Sequence, residues 1–157
     1  MSFALVLDAI ILGVVIAGLW AAYRVLGTPS RLAPADYRVV LDDLAASVAR
    51  SAARLRGALA EDDRQREQVA TDARKIFQTG FYQALRLKPD ATTDPSALVR
   101  ASLGRACEGY EWASRMAESE SFGNAAVQDA VRMLLDRADA ELSAAQQTLA
   151  GLPRSPP

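Results

Sequence analysis

Residues Phe3 to Tyr23 form an apolar run interrupted only by Asp8. The hydrocarbon core of a bilayer is roughly 30 Å thick, and a helix rises about 1.5 Å per residue, so about 20 apolar residues cross it. The run has that length and predicts a transmembrane helix within residues 1–26. A cleaved secretory signal fits less well, because such signals start with a positive region and carry an apolar core of about 7–15 residues. Here no Lys or Arg precedes Arg24, and the one good small-x-small site, Ala33-Pro34-Ala35, lies well beyond the run. A buried helix of a soluble domain is the remaining alternative.

The flanks give an orientation. Arg24, Arg31 and Arg38 follow the run, and Asp36 is the first carboxylate after it. The positive-inside rule then puts the C-terminal part in the cytoplasm and the N-terminus outside. Trp20 and Tyr23 stand beside Arg24. Aromatic rings and a snorkelling Arg at one end are the expected anchors of the inner interface. The expected location is a bacterial inner membrane. Arg far outnumbers Lys, which occurs only as Lys75 and Lys88, and this bias points to a GC-rich bacterial source.

Two features of the run point to a partner in the bilayer. Ala9, Gly13, Ala17 and Ala21 recur every four residues and share one side of a helix. Small residues at this spacing let a second helix approach closely, whether from another subunit or from a second copy in a homo-oligomer. Asp8 borders that side. A carboxylate in a span is a candidate for pairing with a basic group on a partner, or for proton or ion transfer. Near the outer end of the span it also suits the helix N-terminus, where the dipole favours negative charge.

Beyond the run, Gly27 to Ala33 reads as a linker, since Pro29 lacks the N–H that a helix interior needs. Four segments with helical period follow, in a chain that is half apolar but only 6% aromatic, a composition suited to close-packed helices. The first runs from Pro34 to about Ala60, with the stripe Tyr37, Val40, Leu41, Leu44, Val48, Leu55 and Leu59. The second runs from about Arg64 to Leu87, with Val69, Ala73, Ile76, Phe77, Phe81 and Leu85. Asp94-Pro95 is a helix start, an N-cap followed by Pro at the first helical position. The third stripe is Val99, Leu103, Ala106, Tyr110, Ala113 and Ala117. Ser121 to Asn124 is a turn. The fourth stripe is Val127, Val131, Leu134, Ala138, Leu142, Ala145 and Leu149.

Matched lengths and short joints predict an all-α fold, an up-down bundle of about four helices over residues 34–150. The first joint has an alternative. No Gly or Pro lies between Gly57 and Gly80, so the first two segments also fit one long helix in a bundle of three. Against that, Glu61 to Gln68 offers no apolar residue to carry the stripe on, and Asp63 suits a cap. Residues 151–157 form a Pro-rich tail with nothing to bury, expected to be disordered.

Composition excludes most chemistry. There is no His, so Ser-His-Asp, Cys-His, His-ligated zinc, Glu-x-x-His di-iron and His-ligated haem sites are all impossible within the chain. Cys107 is the only cysteine, which rules out an intrachain disulfide and a Cys metal cluster. It neighbours the third stripe and reads as a small buried hydrophobe. Asp42-Asp43 and Glu61-Asp62-Asp63 lack the spacing of a cation loop and read as solvated faces or caps. Net charge of −1 argues against a nucleic-acid binder. No catalytic, cofactor or metal residue is therefore assigned. The expected protein is a non-catalytic single-pass accessory or scaffolding subunit of a membrane complex. Its partners would be a membrane subunit and the lipid bilayer. A membrane-anchored sensor or regulator acting as a homodimer is the alternative.

Overall fold

Helical periodicity carries through to four helices. A computed structural model of the chain describes residues 34–87 and 95–152, with side chains from Tyr37 onward. The helices are α1 (Pro34–Ala58), α2 (Asp63–Arg86), α3 (Pro95–Ala117) and α4 (Ala125–Gly151). A 3₁₀ turn, Glu120–Gly123, precedes α4, and no strand occurs among the described residues. The apolar run Phe3 to Tyr23 lies outside them, as does the predicted cap Asp94. Among the described residues no helix is long and apolar enough to cross a membrane.

The first joint is a turn, so α1 and α2 are separate helices. Leu59, Ala60 and Glu61 donate their amides three residues back, to Arg56, Gly57 and Ala58, which tightens the helix end. The cap is Asp62 rather than Asp63: its backbone is extended and its carboxylate accepts from the Gln65 amide at 3.0 Å. Asp63 is already helical and pairs with Arg66 at 2.6 Å. At the other end of the fold, α4 runs to Gly151 and Leu152 packs on the core, so order extends two residues past Ala150.

Consecutive helices run in opposite directions. Tyr37 Oη donates to the Leu87 carbonyl at 3.4 Å, Arg100 to the same carbonyl at 2.8 Å, and Arg38 to the Leu152 carbonyl. The start of α1, the end of α2, the start of α3 and the end of α4 therefore share one end, the Pro34 end. At the far end, Arg66 Nε donates to the Ala117 carbonyl at 3.1 Å and its guanidinium lies 4.4 Å from the Phe122 ring centroid. The bundle is not square. α1 and α3 meet across it, whereas α2 and α4 do not touch among the described residues.

The stripe of α3 is the core face the sequence predicts, and so is that of α1, save that Val40 and Leu59 are only partly buried and Leu59 lies just past the helix. That of α2 is turned. Its buried face is Ala70, Ala73, Phe77, Gly80 and Ala84, with Phe81 at the flank and Leu85 exposed. The reason is space: a Cβ at Gly80 would stand 3.0 Å from Cys107 Sγ and 3.3 Å from Leu44 Cδ1. At Gly80 α2 comes so close to α1 and α3 that a side chain has no room. On α4 the core position is Leu135, not Leu134. Both fit the period. Ala138 lies close against Gly109, and with that rotation Leu134 is left partly buried beside Gly109.

Two glycines of α3 therefore have opposite roles. A Cβ at Gly109 would lie 3.1 Å from Ala138 Cβ, whereas one at Gly104 meets nothing within 4 Å. The described core lies within residues 37–152, so a fragment from Pro34 to Pro157 should be helical by circular dichroism and unfold cooperatively. In that fragment Gly104→Ala should stabilise by about 0.5–1 kcal/mol, because Ala restricts the unfolded chain and suits a helix interior. Gly109→Val should destabilise by about 1–3 kcal/mol through overpacking. Urea midpoints check both signs. Equal effects at the two sites would refute the close approach at Gly109.

Candidate functional site

The main cluster of polar side chains bridging the described helices is centred on Tyr110 of α3. Its ring is buried and stacks on Phe77 of α2, with centroids 5.0 Å apart and planes 24° from parallel. A Tyr in the middle of a core stripe needs a partner for its hydroxyl. That partner is Asp139 of α4, to which Tyr110 Oη donates. Arg56 of α1 donates to the other oxygen of Asp139, and to Asp136 at 3.0 Å. One tyrosine thus links all four helices. Burial and then the Asp139 hydrogen bond push the Tyr110 phenol far above its ordinary pKa. Partial burial works against the charge of Arg56, but its bonds to Asp136 and Asp139 outweigh this and raise its pKa.

The second buried reactive group is Cys107. It lies against the Gly80 backbone, and burial pushes its thiol up to about 12. A nucleophilic cysteine needs the opposite shift. Neither Tyr110 nor Cys107 is set up to attack or to accept a proton near neutral pH.

Other charged groups serve the helix contacts. Arg105 and Glu141 join α3 to α4 through two bonds of 2.9 Å. Glu141 is held below its ordinary pKa by that arginine. Gln78 donates to Glu111 at 2.8 Å, and Arg74 lies 3.2 Å from Glu118, both between α2 and α3. Of the acidic pairs noted in the sequence, Asp42 faces Arg38 at 3.9 Å, Asp62 caps α2 and Asp63 pairs with Arg66. Among the described residues no three of Cys, Asp and Glu converge as a metal-binding group. Phe77 and Tyr110 are core, Phe81 flanks it and Trp112 is half exposed, with the Arg115 guanidinium 5.0 Å from its ring centroid.

The sequence-assigned membrane residues, Asp8, Ala9, Gly13, Ala17, Trp20, Ala21, Tyr23 and Arg24, all lie outside the described residues. The Arg56–Asp139–Tyr110 junction was missed by the reading of stripes. Its signal is faint: Asp139 directly follows the buried Ala138, at the edge of the stripe.

The raised groups predict a loss of stability in alkali. Cys107 and Tyr110 each bind their proton more tightly folded than unfolded, so their contribution is complete below the unfolded pKa. It falls as pH rises through the folded values. Unfolded Cys and Tyr titrate near about 8.5 and 10. The urea midpoint should therefore begin to fall above about pH 8.5, and Cys107→Ala should remove the part of the fall that lies below about pH 10. An unchanged slope in that variant would show that the thiol is not buried. No family model, no curated protein and no solved structure matches this chain.

Proposed function

We propose that this chain is a non-catalytic, single-pass accessory or scaffolding subunit of a bacterial membrane protein complex. The observation that carries this reading is a span-length apolar run joined to a helical unit. That run also bears the small-residue face Ala9, Gly13, Ala17 and Ala21. In this reading the run crosses the inner membrane with the N-terminus outside, and the face docks against a membrane subunit. The helical unit braces or recruits further protein in the cytoplasm. The fate of its polar groups supports a non-catalytic role. Its buried thiol and phenol are held protonated, and many of its charged side chains are committed to caps and ion pairs. The small-residue face suits a second copy equally well, and this keeps a homodimeric membrane-anchored regulator as the second reading.

Purification of the tagged chain from its native membrane in mild detergent separates the two. The first reading expects a stoichiometric membrane partner, the second a homodimer. Gly13→Leu should weaken either assembly most, because it holds the backbones apart. Asp8→Asn should do less, since an amide still hydrogen-bonds. An assembly intact in Gly13→Leu but lost in Asp8→Asn would replace packing by a buried ion pair. A chain that purifies alone as a monomer contradicts both readings.

A further inference from the structure

The Pro34 end of the bundle differs from the rest of its surface. Val39, Tyr82, Leu85 and Leu98 are 59%, 64%, 55% and 68% exposed, and all four lie at this end. Each is within five residues of its helix terminus, so within roughly 8 Å along the axis. They sit on three helices and form a collar rather than one groove. Trp112 and Met133 are the other large exposed apolar residues among those described, and they stand on α3 and α4 away from this end.

Charge follows the same division. The described stretches 37–41, 80–87, 95–101 and 146–152 hold only Arg38, Arg86 and Arg100, with no carboxylate. Asp36 and the connection 88–94, with Lys88, Asp90 and Asp94, add to this in sequence, and Asp42 pairs with Arg38 just beyond, so this end is close to neutral. The far end carries Glu61, Asp62, Asp63, Glu67, Glu118, Glu120 and Asp129, interspersed with arginines. Arg38 and Arg100 are held at the collar by the carbonyl ends of α4 and α2. A nearly neutral surface with exposed Leu, Val and Tyr and with arginines at its edge suits the headgroup layer of a bilayer. Such surfaces sink by about 5–10 Å, which is the depth of the collar. Residues 1–33, with the apolar run, join the bundle at this same end.

We infer that the Pro34 end of the bundle rests on the inner leaflet. Val39, Tyr82, Leu85 and Leu98 dip into the headgroup–acyl boundary, and Arg38, Arg86 and Arg100 lie at the phosphates. The inference rests on the membrane-anchored reading above. With the collar seated, the far end, dense in charged side chains of both signs, points into the cytoplasm. The brace then has a fixed direction, because a bundle resting on lipid presents its far end at a set height.

The test uses the full chain in vesicles of equal parts phosphatidylcholine and phosphatidylglycerol. A fluorophore is placed at Leu85→Cys, Leu98→Cys, Glu61→Cys or Glu120→Cys, and a lipid-borne nitroxide is the quencher. Cys107 is buried and stays unlabelled in the folded chain, and all four sites are exposed, so the fold should be retained by circular dichroism. The expected result is several-fold stronger quenching at 85 and 98 than at 61 and 120. Equal, weak quenching at all four sites, in a chain that resists carbonate extraction, overturns the seating but leaves the anchor. Equal, strong quenching means a bundle lying flat and also overturns it. Strong quenching lost only when the membrane partner is present shows that the collar is a protein interface. A chain released by carbonate overturns this inference and the anchored reading together.

Discussion

Every described helix is tied to the side chain of Tyr110. Its ring makes α3 pack on α2 through Phe77, and its hydroxyl makes α3 bond to α4 through Asp139. Arg56 brings α1 onto the same carboxylate. A phenol buried without a partner would cost about 1–3 kcal/mol, so the fold favours the arrangement in which Asp139 reaches it. Asp139 in turn is partly exposed and shares Arg56 with Asp136. The junction thus runs from a dry aromatic stack to a wet ion pair within one short chain of contacts. It defines the rotation of α3 and α4 and the register of α1.

The rest of the packing is consistent with that rotation. Once Tyr110 faces Asp139, Gly109 turns toward Ala138, and only a residue without a side chain leaves room there. Leu135 is then carried into the core, and Leu134 is left at the flank. On the other side, Phe77 below Tyr110 brings Gly80 against Cys107 and Leu44. The abundant Ala of this sequence has a structural consequence. It lets α3 lie close to both neighbours, while the bulky core side chains, among them Leu41, Leu55, Phe77, Leu103, Tyr110, Leu135 and Leu149, come from all four helices.

How much of this was legible in the sequence depends on how many residues share a signal. The stripes of α1 and α3 are regular, and the residues read as core are core except Val40 and Leu59, which flank it. On α2 only Ala73 and Phe77 of the stripe are buried, because side-chain size is a poor guide to burial where helices pack closely. Apart from Phe77, the inner face is made of Ala and Gly, whereas Leu85 is on the surface. The helix break at Asp62 was foreshadowed by the lack of apolar residues from Glu61 to Gln68, but cap preference does not separate Asp62 from Asp63. The polar junction needed three helices to be placed before Arg56, Tyr110 and Asp139 could be seen as neighbours, since 83 positions separate the first from the last. The collar at the Pro34 end was equally hidden. Val39, Tyr82, Leu85 and Leu98 are scattered in sequence and are gathered only by the antiparallel order of the helices.

The junction at Tyr110 joins the four described helices through one side chain. The direct test is a double-mutant cycle with Tyr110→Phe and Asp139→Ala, read by urea unfolding of residues 34–157. Each change removes one side of the same bond, so their effects should not add. The account predicts a coupling of about 0.5–3 kcal/mol, with Tyr110→Phe costing little once Asp139 is gone. Additive effects, with coupling near zero, would show that the helices are held by apolar packing alone and that the junction does not organise the fold.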